Sequence, residues 1–282
     1  MNVRILTDST SDIPVEQAEA LGITLVPLTV FFGDEAFLDN IELDNAAFYR
    51  NLQASKSLPR TSQPAPAKFQ EAYMRLIDEG ADGILSVHLS SKLSGTYQSA
   101  RTAAESLPDE MRKVPVEVID SGSISVGMAY AIMHAAEEAR TGADLTTIAA
   151  HMKDELERTR ILAVLDTLEY VRRGGRIGSA AALLGNALSV KPIISLKDGE
   201  VVTVERPRTR SKAFARIAQM VAEAGNIERI SIAEADEEVG RQLAQVVHEV
   251  YPHDIATYKL GGVLGTHTGP GPAAISLVMA KH

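Results

Sequence analysis

Serine, threonine and aspartate side chains gather in four short segments, at residues 7–12, 60–64, 90–96 and 120–123. Each segment precedes a predicted helix, and such residues are favoured helix N-caps, so capping explains any one segment better than ligand binding does. Hydroxyl groups and the unpaired amides of a helix start can nevertheless hold an anion. Because ligands bind at the carboxyl ends of strands in open α/β sheets, the segments together predict an anion or polar head-group site.

Ser94 and Gly95 are the most informative pair in these segments. The serine opens a predicted helix, and the glycine lets a ligand approach the backbone. An anion docks readily at such a helix start, and a hydroxyl together with these amides would hold a carboxylate without a buried cation. His267 lies in GTHTGPG, a loop at 265–271 that is rich in glycine and poor in charge. Such a loop can bring an imidazole to a buried anion, or it can hold a structural histidine against backbone.

Several other chemistries have no support in the sequence. The chain has no cysteine, which excludes disulfides, thiolate metal sites and cysteine nucleophiles. There is no G-x-S-x-G elbow, no Walker A loop and no H-x-x-x-H spacing, so we predict neither a metal nor a cofactor. A net charge of −9 disfavours nucleic acid as a partner. Without a signal peptide or a membrane span, the sequence predicts a cytoplasmic protein.

The pattern of predicted strands and helices that position these residues changes near the middle of the chain. In the first half, short apolar strands alternate with helices, which predicts a mostly parallel α/β/α sandwich. A single strand is predicted over 24–32. In the second half, Asp198-Gly199 joins two apolar segments as a hairpin, and the mixture of elements predicts an α+β domain. We therefore predict an α/β chain of two domains, 1–155 and 156–282.

Six motifs in order along the chain resemble the DegV family. They are TDSTSD at 7–12, TSQP at 61–64, SSKLSGTYQSA at 90–100, LEYVRRGGRIG at 168–178, KPII at 191–194 and GTHTGPG at 265–271. The resemblance covers nearly the whole chain. It implies two domains with one long-chain fatty acid in a tunnel between them. It also implies a lipid carrier and not an enzyme acting alone.

The resemblance further implies site residues and a partner. Some family members are the fatty-acid-binding subunit of bacterial fatty acid kinase, whose kinase subunit phosphorylates the bound carboxylate for phospholipid synthesis. A kinase catalytic subunit is therefore the implied protein partner. The family's site falls here on the carboxylate ligands Thr61 and Ser94, their neighbours Ser62 and Gly95, and the supporting pair Arg173 and His267. We expect Arg173 to balance the charge and His267 to orient or polarise the carboxylate.

The acyl tail of such a ligand can supply nearly all of the affinity. Burial of about fifteen methylenes at roughly 0.8 kcal/mol each gains on the order of 12 kcal/mol before ordering costs. The carboxylate head group then needs only hydrogen-bond partners, because burying a carboxylate without partners costs much free energy. Apolar segments at 26–32, 161–165 and 193–196 are candidates for the tunnel wall, although such segments are more often plain core.

Two other functions stay open from the residues alone. A serine hydrolase or acyl transferase could use Ser94 as nucleophile and His267 as base, with Asp8 as the orienting acid. A binder of another anion, such as a phosphorylated metabolite, would need a polar cavity in place of an apolar tunnel.

Overall fold

The computed structural model describes residues 1–178, 180 and 190–281. The strands within these ranges are β1 (Val3–Asp8), β2 (Ile23–Val26), β3 (Thr29–Phe32), β4 (Glu35–Leu38), β5 (Arg60–Ser62), β6 (Gly83–His88), β7 (Val116–Asp120), β8 (Thr159–Val164), β9 (Ile193–Lys197), β10 (Glu200–Glu205), β11 (Ile227–Glu234), β12 (Ala256–Lys259) and β13 (Ala273–Met279).

The α-helices of the same ranges differ widely in length. They are α1 (Val15–Leu21), α2 (Asn45–Ala54), α3 (Pro66–Asp78), α4 (Thr96–Glu105), α5 (Val126–Arg140), α6 (Leu145–Arg158), α7 (Glu169–Arg173), α8 (Arg210–Glu223), α9 (Glu237–His248) and α10 (Gly262–Thr268). None of the helices described combines the length and apolarity that a bilayer crossing requires.

The first sheet has four parallel strands in the order β2-β1-β6-β7. Alternate side chains of β1 and β6 pack to opposite faces, as the two-residue period of a strand requires. One face packs on α1, α5 and α6, and the other packs on α3 and α4. Because helices cover both faces, every residue of β6 is buried. The predicted parallel α/β/α sandwich is confirmed.

The second sheet has six strands in the order β10-β9-β8-β13-β11-β12. Its neighbouring strands run antiparallel except for β11 and β12. Helices α8 and α9 pack on one face of this sheet. The predicted hairpin is also confirmed, since Asp198 and Gly199 both have positive φ, 52° and 79°, as a type I′ turn requires.

Helices α5 and α6 lie between the two sheets and contact both of them. The predicted boundary near residue 155 falls in the last turn of α6, and the second sheet begins with β8. The division into domains 1–155 and 156–282 stays a prediction.

The single strand predicted over 24–32 is wrong. The chain leaves the parallel sheet after Val26, and β3 joins a separate three-stranded sheet in the order β4-β3-β5. Pro27 stands at the break, where it has no N–H to donate to a sheet. This small sheet is important for the site, because β5 pairs with β3 and carries Thr61.

Candidate functional site

A cavity of about 440 Å³ lies between the second sheet, the loops of the first sheet and α10. Its volume falls within the range of small-molecule sites, about 300–1,000 Å³. Most of its wall is apolar. Its polar side chains include several of the residues that the sequence predicted: Thr61, Ser62, Ser94 and His267, together with Gln63, Arg176 and Thr268.

The apolar wall comes from four hydrophobic clusters that meet at the cavity, one of which is the core of the first sheet through Leu89. Leu28 belongs to the cluster around the small sheet, Leu264 to the cluster beside α5, and Leu165 to the cluster under α7. Alanines 163 and 274 are directly opposite each other on β8 and β13, where their small side chains leave open space. Each of the three candidate segments, at 26–32, 161–165 and 193–196, contributes lining residues.

Thr61 and His267 are brought together from positions far apart in the chain. Oγ1 of Thr61 lies 2.9 Å from Nε2 of His267. Burial, and secondarily the charge of Arg176, lowers the pKa of His267 to about 4. The imidazole is therefore neutral at neutral pH, and one of its nitrogens is a donor while the other is an acceptor.

His267 lies in the helix α10, so the prediction of a loop at 265–271 is wrong for its first part. Two buried carboxyl groups fix the start of this helix. Asp12 accepts a hydrogen bond from the amide of Gly261 at 2.9 Å, and Asp39 accepts one from Gly262 at 2.8 Å. Burial raises the pKa of Asp12 to about 8 and that of Asp39 to about 6. These long-range caps offset the low helix propensity of glycine.

Ser94 and Gly95 lie at the start of α4, as the sequence predicted. The hydroxyl of Ser94 lies 2.9 Å from that of Thr96 and accepts a hydrogen bond from the Thr96 amide at 3.3 Å. Gly95 has an ordinary φ of −77°, so its backbone conformation does not require glycine. The lack of room for a side chain explains the glycine instead. A Cβ atom there would lie 2.4 Å from Oε1 of Gln63, whose side chain closes over the helix start.

The structure brings Arg176, and not Arg173, to the cavity. The Arg173 side chain is 55% exposed and its Nε donates to Glu169. Arg176 lines the cavity, and its Nε donates to the carbonyl of Leu93 at 3.1 Å. The sequence motif contains three arginines, and the one that lines the cavity, Arg176, is itself an exposed residue beyond the end of α7.

Asp8 does not orient His267. Its Oδ2 lies 2.9 Å from Nδ1 of His88, whose Nε2 lies 2.7 Å from the hydroxyl of Ser86. All three side chains are fully buried and none of them lines the cavity. Within the described ranges, no hydrogen bond joins Ser94 to His267. The relay that a serine hydrolase needs is therefore not assembled.

His88 was missed in the sequence. A signal for it exists, because His88 ends β6 and the last residue of β1 is Asp8. In parallel neighbours these side chains meet at the same sheet edge. For metal ions, the described residues contain no group of three or more His, Asp or Glu side chains that could hold one.

Comparison with known proteins gives concordant matches. The family model described as an uncharacterised protein of the DegV family matches residues 2–280. A DegV domain-containing protein of Halalkalibacterium halodurans is 37% identical over 286 residues, covering 99% of each chain.

Two solved structures are similar over almost the full length. One is described as DegV, a fatty acid binding protein from Bacillus subtilis, with a TM-score of 0.88, 32% identity and coverage of 99% of this chain and 100% of that one. The other is described as showing fatty acid binding of a DegV family protein from Thermus thermophilus, with a TM-score of 0.88, 31% identity and the same coverage.

Proposed function

The chain belongs to the DegV family, and we propose that it is a cytoplasmic carrier that binds one long-chain fatty acid in the cavity between its sheets. The observation that carries this proposal is the shape of the site: an apolar cavity into which hydroxyls, a neutral imidazole and an arginine converge. Solved relatives described as fatty acid binding support it.

The hydrogen bonds around Thr61 suit a carboxylate ligand. If Nε2 of His267 carries the proton and donates to Oγ1 of Thr61, the threonine hydroxyl keeps its own proton for the ligand. The hydroxyl of Ser94 and the amides at the start of α4 offer further donors. Thr61 and Ser94 are therefore the proposed carboxylate ligands, with Ser62 and Gly95 beside them.

Among the arginines, we assign the charge-balancing role to Arg176. It lines the cavity, and its charge is permanent, so it favours an ionised carboxylate over a neutral head group. Arg173 is the residue that the family resemblance points to, but its guanidinium is engaged with Glu169 at the surface.

The fate of the bound fatty acid is a further part of the proposal. We propose that the chain is a non-catalytic subunit, which presents the carboxylate to a separate fatty acid kinase for acyl phosphate formation. Such a transfer suits a fatty acid whose carboxylate is held by hydrogen bonds from hydroxyl groups and not by a covalent bond.

Lipid extracted from the purified protein tests the carrier proposal directly. Mass spectrometry of the denatured wild type is expected to find one fatty acid per chain. The Thr61→Val/Ser94→Ala variant is expected to retain little or none, because it removes both proposed carboxylate ligands. A Thr257→Val/Ser91→Ala variant, which changes two exposed hydroxyl residues, is the matched control. An empty wild type that also takes up no added fatty acid would refute the proposal.

Two arginine variants separate the roles of Arg176 and Arg173. We expect Arg176→Gln to weaken fatty acid binding about 10- to 100-fold, the cost of losing a hydrogen bond or ion pair to a charged group. Arg173→Gln is expected to change the dissociation constant less than about twofold, since exposed ion pairs contribute little. Competition with a fluorescent fatty acid measures both. A larger loss in Arg173→Gln would show that the assignment to Arg176 is wrong.

A further inference from the structure

Gly174 follows α7 directly and has a backbone conformation that does not require glycine. Its φ of −69° and ψ of −10° are ordinary right-handed helical values. In the interior of a helix alanine is favoured over glycine by about 1 kcal/mol, so helical values give no reason for a glycine here. The next residue, Gly175, is different, because its φ of 72° is left-handed and no atom lies within 4 Å of the position that a Cβ would take. Conformation therefore accounts for Gly175 and leaves Gly174 unexplained.

The lack of room for a side chain explains the glycine at position 174. A Cβ atom at this position would lie 2.3 Å from Nδ1 of His267 and 3.1 Å from its Cε1. The His267 ring thus packs directly against the bare backbone of Gly174. On its other side, Nε2 lies 2.9 Å from Oγ1 of Thr61. The imidazole is therefore held between a backbone surface and a hydroxyl.

We propose that Gly174 is the positioning residue for His267: its missing side chain lets the imidazole reach Thr61 and orient the threonine hydroxyl toward the ligand carboxylate. This inference rests on the proposed function and adds a residue to it. Gly174 also accepts a hydrogen bond from Nη1 of Arg176 at 2.5 Å, so the same residue contacts both of the groups that support the head-group site.

The contact with Gly174 also selects the proton position on the ring. Nδ1 of His267 is buried and has no hydrogen-bond partner among the described residues. A proton on Nδ1 would be a buried donor without an acceptor, which is costly. The favoured neutral form carries its proton on Nε2, so that Nε2 donates to Thr61. This is the form that frees the threonine proton for a carboxylate.

A double-mutant cycle tests the proposal, with hexadecanoate as the probe and competition against a fluorescent fatty acid as the measurement. Gly174→Ala is expected to weaken binding about tenfold, the effect of losing one hydrogen bond at the head group. In a His267→Ala background, the same substitution is expected to change the dissociation constant less than about twofold, because the clashing ring is gone. Equal losses in both backgrounds would overturn the proposal.

Thermal unfolding of the same four proteins controls for folding. Gly174→Ala is expected to lower the unfolding temperature of the wild type by more than that of His267→Ala, where the ring is gone and the remaining close contact of the new Cβ is with the carbonyl oxygen of Tyr170 at 3.2 Å. A decrease of similar size in both backgrounds would mean that alanine disturbs α7 itself, which would also overturn the proposal.

A measurement without ligand separates this proposal from the proposed function. The imidazole resonance of His267, assigned by its absence from His267→Ala, is expected to titrate with a pKa of about 4 in the wild type. In Gly174→Ala a displaced ring is expected to titrate closer to the ordinary value of about 6.5. An unchanged titration would contradict positioning by Gly174. A shifted titration in a protein that binds no fatty acid would instead refute only the carrier function.

Discussion

Decanoate is expected to bind this protein about three-thousandfold more weakly than hexadecanoate. The two ligands share a carboxylate and differ by roughly six methylenes, each worth about 0.8 kcal/mol when it is buried. The proposed head-group contacts of Thr61 and Ser94 are the same for both. Because the wall of the cavity is mostly apolar, the tail and not the head group should determine the affinity. Competition against a fluorescent fatty acid measures the series, with every ligand kept below its aggregation concentration.

Short phosphate esters are the informative comparison for this series. Their head group carries more charge than a carboxylate, but they bury almost no apolar surface. They should compete poorly with hexadecanoate if the cavity is a tail site. A flat dependence on chain length, together with strong competition by a phosphate ester, would favour the alternative of a phosphorylated ligand.

Much of the first sheet could be predicted because its strands and helices have signals within short stretches of the sequence. The strands of a sheet that is covered on both faces are short apolar runs, and the helices between them have the period of a helix that is buried on one side. The hairpin at Asp198 and Gly199 has an equally local signal, since few residues other than these adopt two successive positive φ values. Thr61, Ser94 and His267 were identified through motifs, and the structure brings all three to one cavity.

The remaining features depend on contacts that are distant in the chain. The segment 265–271 is rich in glycine and looks like a loop, but residues 265–268 belong to a helix whose first amides are capped by Asp12 and Asp39, more than 220 residues earlier. Thr61 lies on a three-residue strand that is too short to have a period of its own and exists because it pairs with β3. Likewise, the choice between Arg173 and Arg176 depends on a helix end, and helix ends are poorly defined in sequence.

The wall of the cavity allows a prediction that separates a ligand tunnel from an ordinary core. Ala163 is half-buried on β8, lines the cavity and lies opposite Ala274. In a close-packed core, Ala163→Phe would overpack the site and cost about 1–3 kcal/mol of unfolding free energy. In an open cavity the ring fills empty space instead. We therefore expect the stability to be kept or raised, while the affinity for hexadecanoate falls about 100-fold or more because the ring occupies the volume of several methylenes.

Leu162→Phe is the matched control for this substitution. Successive side chains of a strand point to opposite faces, and Leu162 packs with the cluster under α8 and α9, away from the cavity. We expect this variant to bind hexadecanoate like the wild type. Denaturant unfolding and the competition assay together measure stability and affinity for both variants. If Ala163→Phe unfolds easily, the region is packed core and the tail lies elsewhere. If it stays stable and binds hexadecanoate normally, the tail does not pass over β8, because a chain in that part of the cavity cannot share its space with a phenylalanine ring.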